Sequence, residues 1–125
     1  MLLIGLLSTF AALRTTSAHG YLVRSIPQDQ AALIRAPSRV QLWFSEALEA
    51  QFSTLTVTDQ SGKPIDLGGG GVAADNHARL SVALPPNLPN GVYIARFRIA
   101  FAEDGHIVSD QIVFWVGMYL SLIHI

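Results

Sequence analysis

The chain has 125 residues, half of them hydrophobic, with 8 Lys and Arg against 9 Asp and Glu for a formal net charge of −1 at pH 7. That length makes one small domain able to bury its own core, and a near-neutral chain without a basic stripe is a poor match for nucleic acid. Cysteine is absent, which excludes a disulfide framework and thiolate metal ligands and leaves His, carboxylate, Met or the amino terminus as possible metal donors.

Residues 2–13 are an almost unbroken apolar run, and Thr16-Ser17-Ala18 places small residues where a signal peptidase cutting before His19 needs them. These are the core and cleavage region of a secretory signal. The run is shorter than the roughly 18–20 residues of a membrane-spanning helix, so cleavage is favoured over an uncleaved anchor, although no Lys or Arg precedes the core and Arg14 interrupts its end. The reading is a signal peptide over 1–18 and a mature domain over 19–117 beginning His19-Gly20-Tyr21. An N-terminal histidine carries its α-amino group and imidazole on one residue; together they can chelate one ion, and both suit Cu(II).

Beyond His19 the pattern is one of short strands. A first strand is expected over 21–26, ended by Pro27, then a loop over 28–37 with a helical turn at 31–34. Residues 39–44 alternate and read as a strand. In 52–58, Phe52, Thr54, Thr56 and Thr58 oppose Ser53, Leu55 and Val57. A turn at 59–62 leads to a short return strand over 63–66. The four glycines 68–71 lack the Lys-Ser/Thr of a phosphate loop and no helix pattern follows them, so they read as a surface loop. Further strands are expected over 79–84, 92–101 and 107–116, with a rigid Pro- and Asn-rich turn at 85–91. About seven strands with little helix predict an all-β fold, a small Greek-key β-barrel or immunoglobulin-like β-sandwich.

Asp104-Gly105-His106 follows the long strand. In an extended segment Asp104 and His106 share a face, and Gly105 lets the chain turn between them. Alone, the pair is as consistent with a surface hydrogen bond. Combined with His19, the amino group, two imidazoles and a carboxylate form an N3O set that fits tetragonal Cu(II) better than tetrahedral zinc. Glu46, at a strand end, is either an axial ligand or hydrogen-bond acceptor at the site, or a solvated strand-end residue. Glu49 and Glu103 read as solvent-facing, His77 as an exposed loop histidine, and Asp75 and Asn76 as turn residues.

His19 behind its cut, Ser25-x-Pro27 followed by Leu33, Phe44-Ser45-Glu46, Gly91-x-Tyr93, and Asp104-Gly105-His106 followed by Phe114-x-Val116 resemble, in order and spacing, the CopC/PcoC-type periplasmic copper-resistance proteins. The resemblance covers 19–116. It implies a small Greek-key β-barrel that binds copper outside the cytoplasmic membrane, with a Cu(II) site at the mature N-terminus made by His19, Asp104 and His106 and with Glu46 at the family's acidic position. The chain departs from the pattern at Phe97, where the family often has Trp before Arg98. It departs also at Phe101 or Ala102 in place of a Ser, at Ser109-Asp110 in place of a Gly, and at Gln30 in place of another; no proposed ligand is lost. Some members add a methionine-rich loop for Cu(I). Here the methionines are Met1 and Met118, so no thioether site is expected.

The leading expectation is a monomeric, non-enzymatic Cu(II) carrier in the periplasm that sequesters copper or passes it to a CopD-type inner-membrane copper transporter. One alternative is a copper monooxygenase-like enzyme built on the N-terminal histidine chelate, for which Asp104 would block the open coordination position. Another is a metal-free immunoglobulin-like interaction module. The tail 118–125 is expected to be truncated or artefactual: Leu120 to Ile125 equal the translated end of a sequencing transposon adaptor. His124 is therefore left out of the site.

Overall fold

In the computed structural model, which describes residues 20–117, eight strands form two four-stranded sheets. They are β1 (Leu22–Ile26), β2 (Ala31–Leu33), β3 (Arg39–Phe44), β4 (Thr54–Asp59), β5 (Gly71–Ala73), β6 (Asn76–Ala83), β7 (Gly91–Ala100) and β8 (Ile107–Val116). The first sheet runs β1-β3-β6-β5 and the second β2-β8-β7-β4. All pairings are antiparallel except β2 on β8. The fold is the expected all-β class, a sandwich with one strand more than the sequence suggests.

Period-two alternation decides which side chains meet between the sheets. Val40, Leu42 and Phe44 of β3 and Leu80 and Val82 of β6 face Leu55 and Val57 of β4, Tyr93, Ala95, Phe97 and Ile99 of β7, and Ile112, Phe114 and Val116 of β8. Phe44 sits edge-on to Phe97 at 5.5 Å and to Phe101 at 6.2 Å, and Tyr93 stacks on Phe114 at 5.7 Å, separations at which aromatic pairs add to simple burial. The Tyr93 hydroxyl donates to the Pro89 carbonyl oxygen at 2.6 Å. Burial, and then the charge of Asp59, raises its pKa above the ordinary tyrosine value.

Three expectations are corrected. The helical turn over 31–34 is the edge strand β2. Gln30 takes a left-handed backbone (φ 69°) and its N–H donates to the Val113 carbonyl at 2.7 Å, handing the segment to the unpaired edge of β8; a four-residue turn has no comparable ladder to offer. The return segment 63–66 makes a bridge from Pro64 to Thr58 and a bond from the Ile65 N–H to the Val57 carbonyl at 2.9 Å, but is not a strand. Pro64 has no N–H to give, and the Val57 N–H goes to the Asp66 carboxylate instead. Finally, the glycine run ends in β5, which pairs with a β6 that begins at Asn76 rather than 79. A Cβ at Gly70 would overlap the Leu55 carbonyl oxygen, so close packing, as well as loop freedom, calls for glycine there.

Register fixes which loops share an end. Leu22 opposes Phe44, Trp43 opposes Arg79, Thr54 opposes Arg98 and Ala100 opposes Ile107. The start of β1, the β3–β4 connection, the β5–β6 hairpin and the β7–β8 hairpin therefore gather at one pole of the sandwich.

Candidate metal centre

The β7–β8 hairpin is tied down by its own backbone. The Gly105 N–H donates to the Phe101 carbonyl at 2.8 Å and the Phe101 N–H to the His106 carbonyl at 3.0 Å. The His106 N–H donates to Asp104 Oδ1 at 2.9 Å. Gly105 has φ 72°, the left-handed region that a side chain resists. The segment is thus a tight turn, not the extended run that the shared-face expectation assumed. Asp104 and His106 still stand together, both exposed, because the carboxylate caps the backbone of the histidine two residues on.

A belt of main chain, 45–49, joins this hairpin to Tyr21, just ahead of β1. Ser45 and Tyr21 bond reciprocally: the Ser45 N–H donates to the Tyr21 carbonyl at 2.8 Å, and the Tyr21 N–H donates to Ser45 Oγ at 2.9 Å. The Leu48 N–H donates to the His77 carbonyl, the Glu49 N–H to the Ala100 carbonyl, and the Ala102 N–H to the Ala47 carbonyl, at 2.8–2.9 Å. Leu48 also bridges Phe101. The buried Ser53 Oγ accepts the Ala100 N–H at 3.1 Å, fixing the end of β7 from below. Glu46 lies half-buried in the belt, between Ser45, which holds the N-terminal strand, and Ala47, which holds the hairpin.

Gly20 packs against the Phe101 ring so closely that a Cβ would overlap it. Phe101 is also the residue from which the Asp104–His106 turn springs. His19, the expected first ligand, lies outside the described residues, as do the signal 1–18 and the tail 118–125. The described residues bring Asp104 and His106 together and place Gly20 and the Glu46 belt at the same pole. Among them no group of three or more His, Asp and Glu is arranged to hold an ion. His77 is exposed at the same pole, and the neighbouring Asp75 is engaged with Arg79 at 2.6 Å. The residues the sequence could not single out are Tyr21, Ala47 and Ala102. Their work here is done by main-chain groups, and main-chain bonds leave no mark in residue type.

A family model described as the CopC domain matches residues 22–117. The chain is 36% identical over 104 residues to a protein of Bacillus subtilis (strain 168) described as "Copper transport protein CutJ"; the match spans 83% of this chain and 19% of that protein. Among solved structures it is similar to CopC from Methylosinus trichosporium OB3b (31% identity, TM-score 0.69, 78% of this chain and 93% of that one). It is also similar to PcoC from Escherichia coli, described as a methionine-rich copper resistance protein (29% identity, TM-score 0.67, 79% and 99%).

Proposed function

Since the chain belongs to the CopC domain family, we propose that it is a periplasmic Cu(II)-binding protein that sequesters copper or delivers it to a membrane copper transporter of the CopD type. It acts as a carrier, with copper as cargo, and not as an enzyme. The ligands in this reading are the His19 amino group and imidazole, the His106 imidazole and the Asp104 carboxylate. The carboxylate offers the ion one oxygen while the other caps the turn. Glu46 serves as an axial ligand or accepts a hydrogen bond from a ligand at the rim. Three nitrogens and an oxygen in this pattern suit Cu(II).

The observation that carries the reading is the seat of Gly20 on Phe101. Gly20 itself thereby lies beside the root of the Asp104–His106 turn. Without that seat, a terminal chelate and a hairpin pair would be unrelated features. Binding displaces protons from amino and imidazole nitrogens, so copper affinity falls in acid.

The test is electron paramagnetic resonance of the chain starting at His19 with one equivalent of Cu(II), beside a version with one residue added before His19. The expected result is a nitrogen-rich type-2 signal that changes on extension, because the added residue converts the chelating amine to an amide. An identical signal in the extended chain rules out the terminal chelate.

A further inference from the structure

The outer face of the second sheet carries a feature that copper binding does not use. Along β7, Tyr93, Ala95, Phe97 and Ile99 point into the core, which puts Arg96 and Arg98 on the outer face in line with Ala100, itself only 4% exposed. Register aligns them in cross-strand rows: Thr56–Arg96–Gln111, Thr54–Arg98–Ser109, and Ala100–Ile107 at the pole of the ligand turn. Around the last row lies a cleft of about 320 Å³ lined by Phe52, Ala100, Phe101, Ala102, Gly105 and Ile107 together with the Glu49 side of the belt. Phe52 is 56% exposed and Ile107 48%, an apolar pair left facing water. A separate shallow groove of about 650 Å³ covers the two arginine rows, which follow Ala100 along β7. Arg96 donates to Thr58 Oγ1 at 3.1 Å. Among the described residues the ion pair is Arg79 with Asp75, so neither Arg96 nor Arg98 has a carboxylate within ion-pair distance. Asp110, which also lines the groove, accepts the Gln111 N–H.

We propose that this track docks an extended acidic segment of a partner protein. A bulky apolar residue of that segment fills the Phe52–Ile107 cleft, and its carboxylates lie over Arg98 and Arg96. Burying the anchor removes apolar surface from water, and each guanidinium offers a planar fork matched to a carboxylate. The spacing follows from strand geometry. Ala100, Arg98 and Arg96 recur every second residue, about 6.6 Å apart, and an extended ligand has the same repeat. The matching segment therefore carries acids two and four positions from its anchor. The cleft reaches Gly105, between Asp104 and His106, so an occupant sits beside the ligand turn. That this partner is the copper acceptor rests on the carrier reading; the docking itself does not.

The test uses the isotope-labelled chain from His19 and a capped peptide with leucine followed by glutamates two and four positions on. The control peptide replaces the glutamates with lysines. Amide resonances of Thr54, Arg98, Ala100 and Ile107 are expected to shift with the glutamate peptide and not with the lysine peptide. Arg98→Glu is expected to weaken binding about tenfold, equivalent to about 1.4 kcal/mol, and Phe52→Ser by a similar factor. Cu(II) affinity of both variants is expected to stay within about twofold of the parent, as for independent sites. The proposal is overturned if the lysine peptide binds equally, if neither peptide binds, if the track responds only to phosphatidylglycerol vesicles, or if it responds only to rising protein concentration, as for a second copy. A parent chain that binds the glutamate peptide but not Cu(II) keeps the docking track and removes the carrier reading.

Discussion

Two hairpins at one pole of the sandwich carry the same spacing of acid and histidine, Asp75-Asn76-His77 and Asp104-Gly105-His106. In the first, Asp75 is held by Arg79 at 2.6 Å, and that guanidinium draws its carboxyl below the ordinary aspartate value. In the second, Asp104 Oδ1 caps the His106 N–H, and no Lys or Arg pairs with it among the described residues. The first hairpin meets the 45–49 belt through the His77 carbonyl. The second grows from Phe101, the residue on which Gly20 rests. An acid two residues before a histidine is therefore not in itself a metal site. It becomes a candidate when the carboxylate is not already committed to a cation and when the residue leading to the proposed terminal chelate, Gly20, rests at its root.

The two hairpins are expected to differ most when each histidine is removed in turn. His106→Ala is expected to lower Cu(II) affinity by more than about 100-fold, beyond the range of changes to groups that only support a ligand. His77→Ala is expected to stay within about twofold, as for an uncoupled site. Competition titration against a chelator of known affinity measures both. Equal losses would show that the two hairpins act together and that the distinction drawn between them is wrong.

A smaller effect is expected where the second hairpin meets Gly20. Gly20→Leu forces the terminal strand off the Phe101 ring. It is expected to cost about 1–3 kcal/mol of stability, as overpacking does, and to weaken Cu(II) binding about tenfold, like loss of a supporting contact. Gly91→Ala at the opposite pole, where a Cβ meets nothing within 4 Å, is the control and is expected to leave copper affinity unchanged. Thermal melts and the same competition titration read the two quantities. If Gly20→Leu destabilises without touching affinity, the seat on Phe101 is structural only.

Much of the fold is legible in the sequence where one face of a strand is buried. The alternation of Ser53, Leu55 and Val57 against Thr54, Thr56 and Thr58 survives intact as inward and outward faces, because packing between sheets enforces a period of two. Ala31-Ala32-Leu33 shows no alternation and is half-buried throughout. It becomes a strand through β8, far along the chain, so no local reading finds it. Similarly, the acid–histidine turn is visible in residue types. The belt that ties it to the first strand is not, since Tyr21, Ala47, Leu48 and Ala102 meet there through backbone groups that every residue carries.

The least change is expected at Asp75, through its commitment to Arg79. Its carboxyl is lowered chiefly by the hydrogen bond from Arg79, with its own backbone N–H adding to it. A carboxyl lowered on folding favours the folded state above its unfolded-state pKa, and that contribution is lost as pH falls through the folded value. Because Asp75 is exposed, solvent screens the pair, and acid is expected to change the midpoint of thermal unfolding little through this residue. Its titration, followed by side-chain carboxyl resonances, is expected to lie below that of an unpaired aspartate and to move upward in Arg79→Ala. The same variant releases Asp75 beside His77, yet it supplies no terminal amine at that hairpin. It is therefore expected to create no second Cu(II) site; a new tight site there would mean that a freed carboxylate is sufficient and that the company it keeps is not what separates the two turns.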